Sequence, residues 1–430
     1  MQIKGKITKS LYEVDMDFDY GIVGSGPAGY TAALYAASTG KKVVLFEKDY
    51  AGGVCLNKGC IPTKTLLHSA EIYETNKTCS EMGINVVENS YNFTKIAERK
   101  QSVIEKLRNG LERSFKAAGV NFINAEAQIL DKNTIEANGE KYSCEKIICA
   151  IGSSPREIKG MEYDHKLILS SDDILNLTEL PKSIVVIGSG AIGIEFSRIL
   201  SSFDVEVTLI EVADNLLPLA DTEISKRLER IFKAKNLKFY TKTTVEKIEK
   251  AENKVNVYLN NNEVISADCT LLAVGRVPNK IDKIDGVSYL GDVAGSIQLA
   301  HFASKQSMKE VLNIPFDENL VPSVVYGSPE IAWLGKREQD LEVGTFQKSM
   351  LPISALAKSQ CDNATDGMIK ILVQDNKIVG AHIMSNEASS LLQQILIAMQ
   401  AGLTVEQLKA ICFAHPTYSE GILDCLMRLK

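Results

Sequence analysis

The segment Gly52-Gly53-Val54-Cys55-Leu56-Asn57-Lys58-Gly59-Cys60-Ile61-Pro62-Thr63-Lys64 sets two thiols close together in the chain. Five residues of ideal helix advance about 7.5 Å, more than the usual Cα separation of bridged cysteines, so Cys55 and Cys60 can join only where this stretch is bent or coiled. Gly59 and Pro62 provide for such a bend. Pro62 suits the first turn of a helix carrying Thr63 to Ala70, whose positive N-terminal end favours a nearby thiolate. A zinc site would need two further ligands, and His68 is the only candidate close by in sequence. From the pair alone, a redox couple and two incidental loop thiols both remain open.

A second segment, Phe413-Ala414-His415-Pro416-Thr417-Tyr418-Ser419-Glu420, places a histidine before proline and a carboxylate five residues on. Thiol–disulfide exchange needs a group that takes a proton from an incoming dithiol and stabilises the thiolate, which histidine does near neutral pH. A carboxylate on the other ring nitrogen would fix its tautomer. In isolation His415 reads first as a structural histidine, and only the larger context reverses that order. His68, His165, His301 and His382 have no comparable neighbour in sequence. The seven other cysteines read as buried or incidental thiols. Cys412 and Cys425 do not form a vicinal terminal pair, which argues against a metal-ion reductase.

The elements that would position these groups begin with a device that occurs twice. Tyr20 to Val23 reads as a buried strand, followed by Gly24-Ser25-Gly26-Pro27-Ala28-Gly29, a helical run from Tyr30 to Ser38 that stops at Gly40, and a strand from Lys42 to Phe46 that delivers Glu47. Downstream, Ser183 to Ile187, Gly188-Ser189-Gly190-Ala191-Ile192-Gly193, a helix, and the strand Glu206 to Ile210 ending at Glu211 repeat it, with the same offset of 23 residues from first glycine to acid. Such glycines permit a tight bend and a close approach of backbone N–H groups to a pyrophosphate, while the acid accepts from the adenosine ribose. One fingerprint alone is a weak signal that a ligand-free strand-to-helix turn also gives; two in register predict two dinucleotides, or one chain using the fold twice. Glu211 would repel a 2′-phosphate, and no Arg or Lys follows it until Lys226, so the second unit favours NAD over NADP.

The chain of 430 residues, 45% hydrophobic, is long enough for two or three domains. A net charge of −6 gives no electrostatic case for nucleic acid or an anionic membrane. The first eighteen residues contain no signal-like apolar core and no run is long enough to span a bilayer, so a cytoplasmic location is expected. Nine cysteines without a regular spacing suit a reducing compartment, where a lasting disulfide is more often catalytic than structural. Hairpin-like segments lie at Lys254 to Val264, and a mixed tail begins near Val321. There, strands Met368 to Val373 and Ile378 to Met384 flank the turn Asp375-Asn376 and precede a helix, Ala388 to Ala401, apolar through Leu391, Leu392, Ile395, Leu396 and Met399. That helix suits a core position or a subunit interface.

The motifs GSGPAGY, GGVCLNKGCIPTK, GSGAIGIEF, AVGRVPN, YLGDVAG and HPTYSE occur in the order seen in the pyridine nucleotide-disulfide oxidoreductases, and the chain resembles that family from about residue 19 to 425. Within it, the motifs are most similar to those of members that oxidise dihydrolipoamide. The resemblance implies an α/β architecture: two Rossmann-like dinucleotide-binding domains, one for FAD and one for NAD, plus a C-terminal α+β dimerisation domain. The expected boundaries are 1–155 for the FAD domain with the redox disulfide, 156–279 for the NAD domain, 280–320 for a shortened return segment completing the FAD site, and 321–430 for a domain forming a homodimer. It further implies that Gly24, Gly26, Gly29 and Glu47 hold the adenosine diphosphate of FAD and that Asp292 binds its ribityl chain. Lys64 and Glu195 would pair beside the isoalloxazine, and Gly152 with Leu299, Ala300 and His301 would line the flavin. Gly188, Gly190, Gly193, Glu211 and Gly275 fall where the family binds NAD. Cys55 would exchange with substrate, Cys60 would contact the flavin, and His415, from the partner subunit and oriented by Glu420, would act as base. Electrons would run from dihydrolipoamide to the cysteines, to FAD, to NAD. The lipoyl domain of a 2-oxoacid, acetoin or glycine cleavage complex would be the partner.

Two departures stand out. Val54 replaces the family's threonine, and residues 280–290 form a shorter connection than the family has before the Gly291-Asp292 pair, although Val287 to Leu290 could supply the missing strand. Looser FAD retention is therefore expected. The extension before Asp19 reads as a packing arm or extra hairpin. Competing readings are an NADH-dependent reductase of another, low-molecular-weight disulfide and a flavoprotein with impaired catalysis.

Overall fold

The computed structural model describes residues 16–429, so the reading of the extreme N-terminal extension lies outside the described residues. The chain forms two compact units. One gathers residues 16–56 with Lys106–Ser153 and Pro278–Pro315; the other gathers Asn57–Glu105, Ser154–Val277 and residues 316–429.

The first unit is built on a seven-stranded sheet. Asn121–Asn124, Val43–Glu47, Phe18–Val23 and Glu140–Cys149 run parallel, and Thr134–Ala137 and Ala127–Asp131 continue it antiparallel. The long strand Glu140–Cys149 divides one edge between two partners. Its beginning pairs with Thr134–Ala137, and its end, Ile147 to Cys149, pairs parallel with Val287–Tyr289. The short connection therefore does supply a strand, and Leu290 N donates to Cys149 O at 3.0 Å to extend it. Val43–Glu47 is buried at every position, as expected for a parallel strand covered on both faces. Helix Pro27–Ser38 starts with proline in its first turn and packs against helix Ala300–Leu312. Ser307 Oγ donates to Ala28 O at 2.8 Å and Gly291 N donates to Gln306 Oε1 at 2.8 Å, anchoring the returning chain.

In the second unit, Lys238–Tyr240, Glu206–Ile210, Ser183–Ile187, Cys269–Leu272 and Ile168–Leu169 form a five-stranded parallel sheet. Val245–Ala251, Lys254–Leu259 and Val264–Ala267 make an antiparallel meander, as the hairpin pattern predicts. A third sheet is wholly antiparallel, in the order Ser323–Val325, Glu330–Gly335, Lys377–Ser385, Met368–Gln374, Gln347–Pro352. Helix Ala388–Gln400 turns Leu391, Leu392 and Ile395 into the core beneath that sheet, with Leu396 and Met399 partly buried against it and Ile397 exposed. Among the described residues, no helix is long and apolar enough to cross a membrane.

Candidate active site

Cys55 and Cys60 are disulfide-bonded. The bend required by their spacing is an interruption between helices Gly53–Lys58 and Cys60–Thr78, with Gly59 at φ −152° and ψ −109° between them. The second helix begins at Cys60 itself, with Pro62 in its first turn as the sequence predicts, so the Cys60 sulfur sits at the positive end of a nineteen-residue helix. Behind Cys55, a Cβ at Gly53 would come within 2.6 Å of Gly26 Cα, and Gly52 N donates to Ser25 O at 3.1 Å. The cysteine helix thus starts directly on the first glycine turn.

The two glycine turns have the same construction. Gly24 and Gly188 have φ of +97° and +99°, and Cβ atoms at Gly29 and Gly193 would lie 1.7 and 1.8 Å from the carbonyl oxygens of Gly24 and Gly188. Only glycine allows this contact between helix and strand. The middle glycines differ from these, because a Cβ at Gly26 or Gly190 would meet nothing within 4 Å. Each turn therefore keeps an open space at the N-terminus of its helix. The acids match as well: Glu47 Oε2 accepts from Ser25 N and Oγ, both at 2.8 Å, and Oε1 from Asp49 N at 3.0 Å. Glu211 Oε2 accepts from Ser189 N and Oγ, both at 2.7 Å, and Oε1 from Ala213 N at 2.8 Å. Three of about four acceptor positions on each carboxylate are filled, leaving one on Oε1. The serine hydroxyls were not singled out from sequence, although their shared place as second residue of both turns carried the signal.

Lys64, one helical turn beyond Cys60, donates to Glu195 Oε2 and Oε1 at 2.8 and 3.0 Å and lies 4.5 Å from the Tyr326 ring centroid. Glu195 also accepts from Tyr326 N at 3.0 Å. Beneath it, Arg198 donates to Tyr326 O and Pro329 O, and burial pushes its guanidinium down to about 10. Asp292 accepts from Ser153 Oγ at 2.6 Å. Gly152 O accepts from Asn279 N, Gly275 O accepts from Arg156 N, and Leu299 caps the helix in whose first turn Ala300 and His301 lie.

His415 Nδ1 lies 2.8 Å from Glu420 Oε1, and Glu420 Oε2 accepts from Thr417 N at 2.9 Å. Those two bonds hold the Glu420 carboxyl below the usual range, the Thr417 amide contributing most. His415 itself is exposed, open to a proton donor on its other nitrogen. His165, to which no partner was assigned, also meets a carboxylate, Asp173, at 3.0 Å; that acid belongs to the capping box of Ser170. Of the other thiols, burial pushes Cys144, Cys269 and Cys425 up to about 12 and Cys149 to about 11, which keeps them protonated and inert.

A bridged thiol pair rooted in one dinucleotide turn, within a chain that carries a second such turn, defines the class: a dinucleotide-dependent thiol–disulfide oxidoreductase. The family model described as pyridine nucleotide-disulphide oxidoreductase matches residues 18–283, and that of the family's dimerisation domain matches residues 321–425. The chain is 33% identical to dihydrolipoyl dehydrogenase from Mycoplasma pneumoniae, over 95% of this chain and 98% of that one, and 32% identical to dihydrolipoyl dehydrogenase from Bacillus subtilis, over 94% and 96%. It is similar in structure to the HOCl-induced flavoprotein disulfide reductase RclA from Escherichia coli, with a TM-score of 0.84 and 25% identity over 96% of this chain and 100% of that one. This chain belongs to the pyridine nucleotide-disulphide oxidoreductase family.

Proposed function

We propose that this protein is a dihydrolipoamide dehydrogenase, oxidising dihydrolipoamide to lipoamide and reducing NAD. The observation that carries this is the Cys55–Cys60 disulfide at the helix break, in a chain similar along nearly its whole length to dihydrolipoyl dehydrogenases. FAD and NAD are its cofactors. Residues 1–155 with 280–320 form the FAD domain, 156–279 the NAD domain and 321–430 the dimerisation domain.

The open spaces at Gly26 and Gly190 fit a pyrophosphate, and the remaining acceptor position on Glu47 and Glu211 fits a ribose hydroxyl. Gly24, Gly26, Gly29 and Glu47 thus take the FAD adenosine diphosphate, Asp292 its ribityl chain, and Lys64 with Glu195, Gly152 and Leu299 to His301 the region of the flavin ring. Gly188, Gly190, Gly193, Glu211 and Gly275 take NAD. The buried Glu211 carboxylate disfavours a 2′-phosphate.

A dihydrolipoamide thiolate attacks Cys55 Sγ, the Cys55–Cys60 bond breaks, and Cys60 leaves as thiolate. The substrate's second thiol, losing its proton to His415 of the partner protomer, attacks its own sulfur in the mixed disulfide and releases Cys55. Lipoamide departs with the new disulfide, and two electrons stay on the cysteines. Glu420 keeps the His415 proton on Nδ1, so that Nε2 can accept. FAD, when bound, supplies the two-electron route from the cysteines to NAD. The working form is a cytoplasmic homodimer that serves a lipoyl domain.

The test is NADH formation from dihydrolipoamide and NAD by the flavin-loaded protein and by its Cys60→Ser variant. Turnover abolished in the variant supports the reading. Cysteines that NADH reduces without lipoamide turnover would reject dihydrolipoamide and favour another disulfide, the reading that likeness to a disulfide reductase supports.

A further inference from the structure

The C-terminal sheet buries a lysine. Lys370, in strand Met368–Gln374, is 1% exposed, and its ammonium lies 2.7 and 2.9 Å from the oxygens of Asp221 and 2.5 Å from Glu338 Oε2. Asp221 is wholly buried. It caps helix Thr222–Ala234 through Glu223 N and accepts Glu338 N at 3.1 Å. The residues just before it are held from the same side: Arg337 donates to Pro218 O and Leu219 O, and Gln339 Nε2 donates to Ala220 O at 3.1 Å. At the other end of this loop, Leu217 N donates to Ser189 Oγ at 3.1 Å, and Ser189 Oγ donates to Glu211.

A serine hydroxyl has one proton and can rotate it. With Leu217 N–H directed at the oxygen, that proton must point elsewhere, and Glu211 Oε2 receives it. If the loop draws back, the hydroxyl is free to turn and Glu211 loses one of the two bonds that orient Oε2. We propose that Lys370 is a positioning residue for the pyridine dinucleotide, acting through Asp221 and the Leu217–Asp221 loop to hold Ser189 and the Glu211 carboxylate. The inference rests on the reading above that NAD binds at the Gly188–Glu211 turn.

The test uses the flavin-loaded enzyme and three variants. Lys370→Met removes the charge, Lys370→Gln keeps a donor for Asp221 and so protects folding, and Ser189→Ala removes the last link. In each folded variant the KM for NAD and the Kd for NADH should rise by about tenfold, the scale of one hydrogen bond to a charged group, with kcat and the KM for dihydrolipoamide within about twofold of wild type. Ser189→Ala combined with Lys370→Gln should be no worse than the more severe single change, because both act on one path. Unchanged NADH affinity in folded Lys370→Gln overturns the proposal, as does an equal fall in the kcat/KM of both substrates. Wild-type protein that binds no NADH would instead refute the dinucleotide assignment itself.

Discussion

Glu195 is the carboxylate on which the Lys64 side of the site rests, and its removal has a calculable consequence. Replacement by alanine orphans the half-buried Tyr326 amide, which costs about 2 kcal/mol. The Lys64 side chain is one-third exposed and can turn to water, so its lost ion pair adds no more than about 1 kcal/mol. The deleted γ-methylene, on a residue only 4% exposed, adds about 1 kcal/mol. A total of at least about 4 kcal/mol is expected for Glu195→Ala, because the buried Arg198 loses the attraction of this carboxylate as well. Glu195→Gln keeps an acceptor for Tyr326 and the packing, so it should cost about 1–2 kcal/mol, part of which is lost support for the buried Arg198. Urea unfolding at saturating FAD, followed through the single tryptophan, Trp333, reads the unit that contains the pair. An alanine variant within about 1 kcal/mol of wild type, or a glutamine variant as costly as alanine, would refute this accounting of the carboxylate.

Glu420→Gln can serve either His415 or Thr417 as acceptor but not both, so turnover with dihydrolipoamide should fall about 100-fold, while NADH reduction of an artificial electron acceptor is unaffected; equal turnover would remove Glu420 from the mechanism. Gly193→Ala should cost about 3 kcal/mol, since the new methyl overlaps Gly188 O, and a wild-type unfolding midpoint would contradict that contact. Burial raises the Asp164 carboxyl, but the Ile168 amide, the Lys250 ammonium and the Lys166 and Leu167 amides outweigh it and hold the group well below the ordinary carboxylate range. Its depressed value in the folded state means a stabilisation present above about pH 4 and lost as pH falls further; Asp164→Asn should flatten that acid limb in a pH series of melts, and an unchanged limb would exclude it. The connection at residues 280–290 is short even though it supplies the strand Val287–Tyr289, so flavin should still be lost on prolonged dialysis, and a ratio of one flavin per chain afterwards would count against this.

Both glycine turns were legible because their chemistry is local: the positive φ values, the close helix contact and the acid at fixed offset are all set within one strand–helix–strand stretch. The need for a bend between Cys55 and Cys60 followed from helical rise alone. Its position did not, because Gly59, at φ −152° and ψ −109°, breaks the helix and lets the next one start at Cys60, which keeps Pro62 within the first turn. Lys370 gave no sign of burial, since a lysine within an apolar strand looks like a solvent-facing position until Asp221, far away in the chain, is brought to it. The same holds for His165, whose partner Asp173 is local but whose left-handed backbone, at φ +61°, is not evident from residue types. Helix Ala388–Gln400 was ambiguous between core and surface because its apolar residues surround much of its circumference; the packing of Leu391, Leu392 and Ile395 settles the inner face.

The divided edge of strand Glu140–Cys149 has a consequence for how the protein is made. As the chain leaves the ribosome, Ile147 to Cys149 emerge long before Val287–Tyr289, the strand that covers them, with Ser154–Val277 synthesised in between. Throughout that interval the nascent sheet presents an unpaired apolar edge, a template for pairing with a neighbouring chain. Slow elongation through residues 154–277 should therefore lower the yield of soluble protein, and binding of a chaperone to the stalled chain should map to Ile147–Cys149.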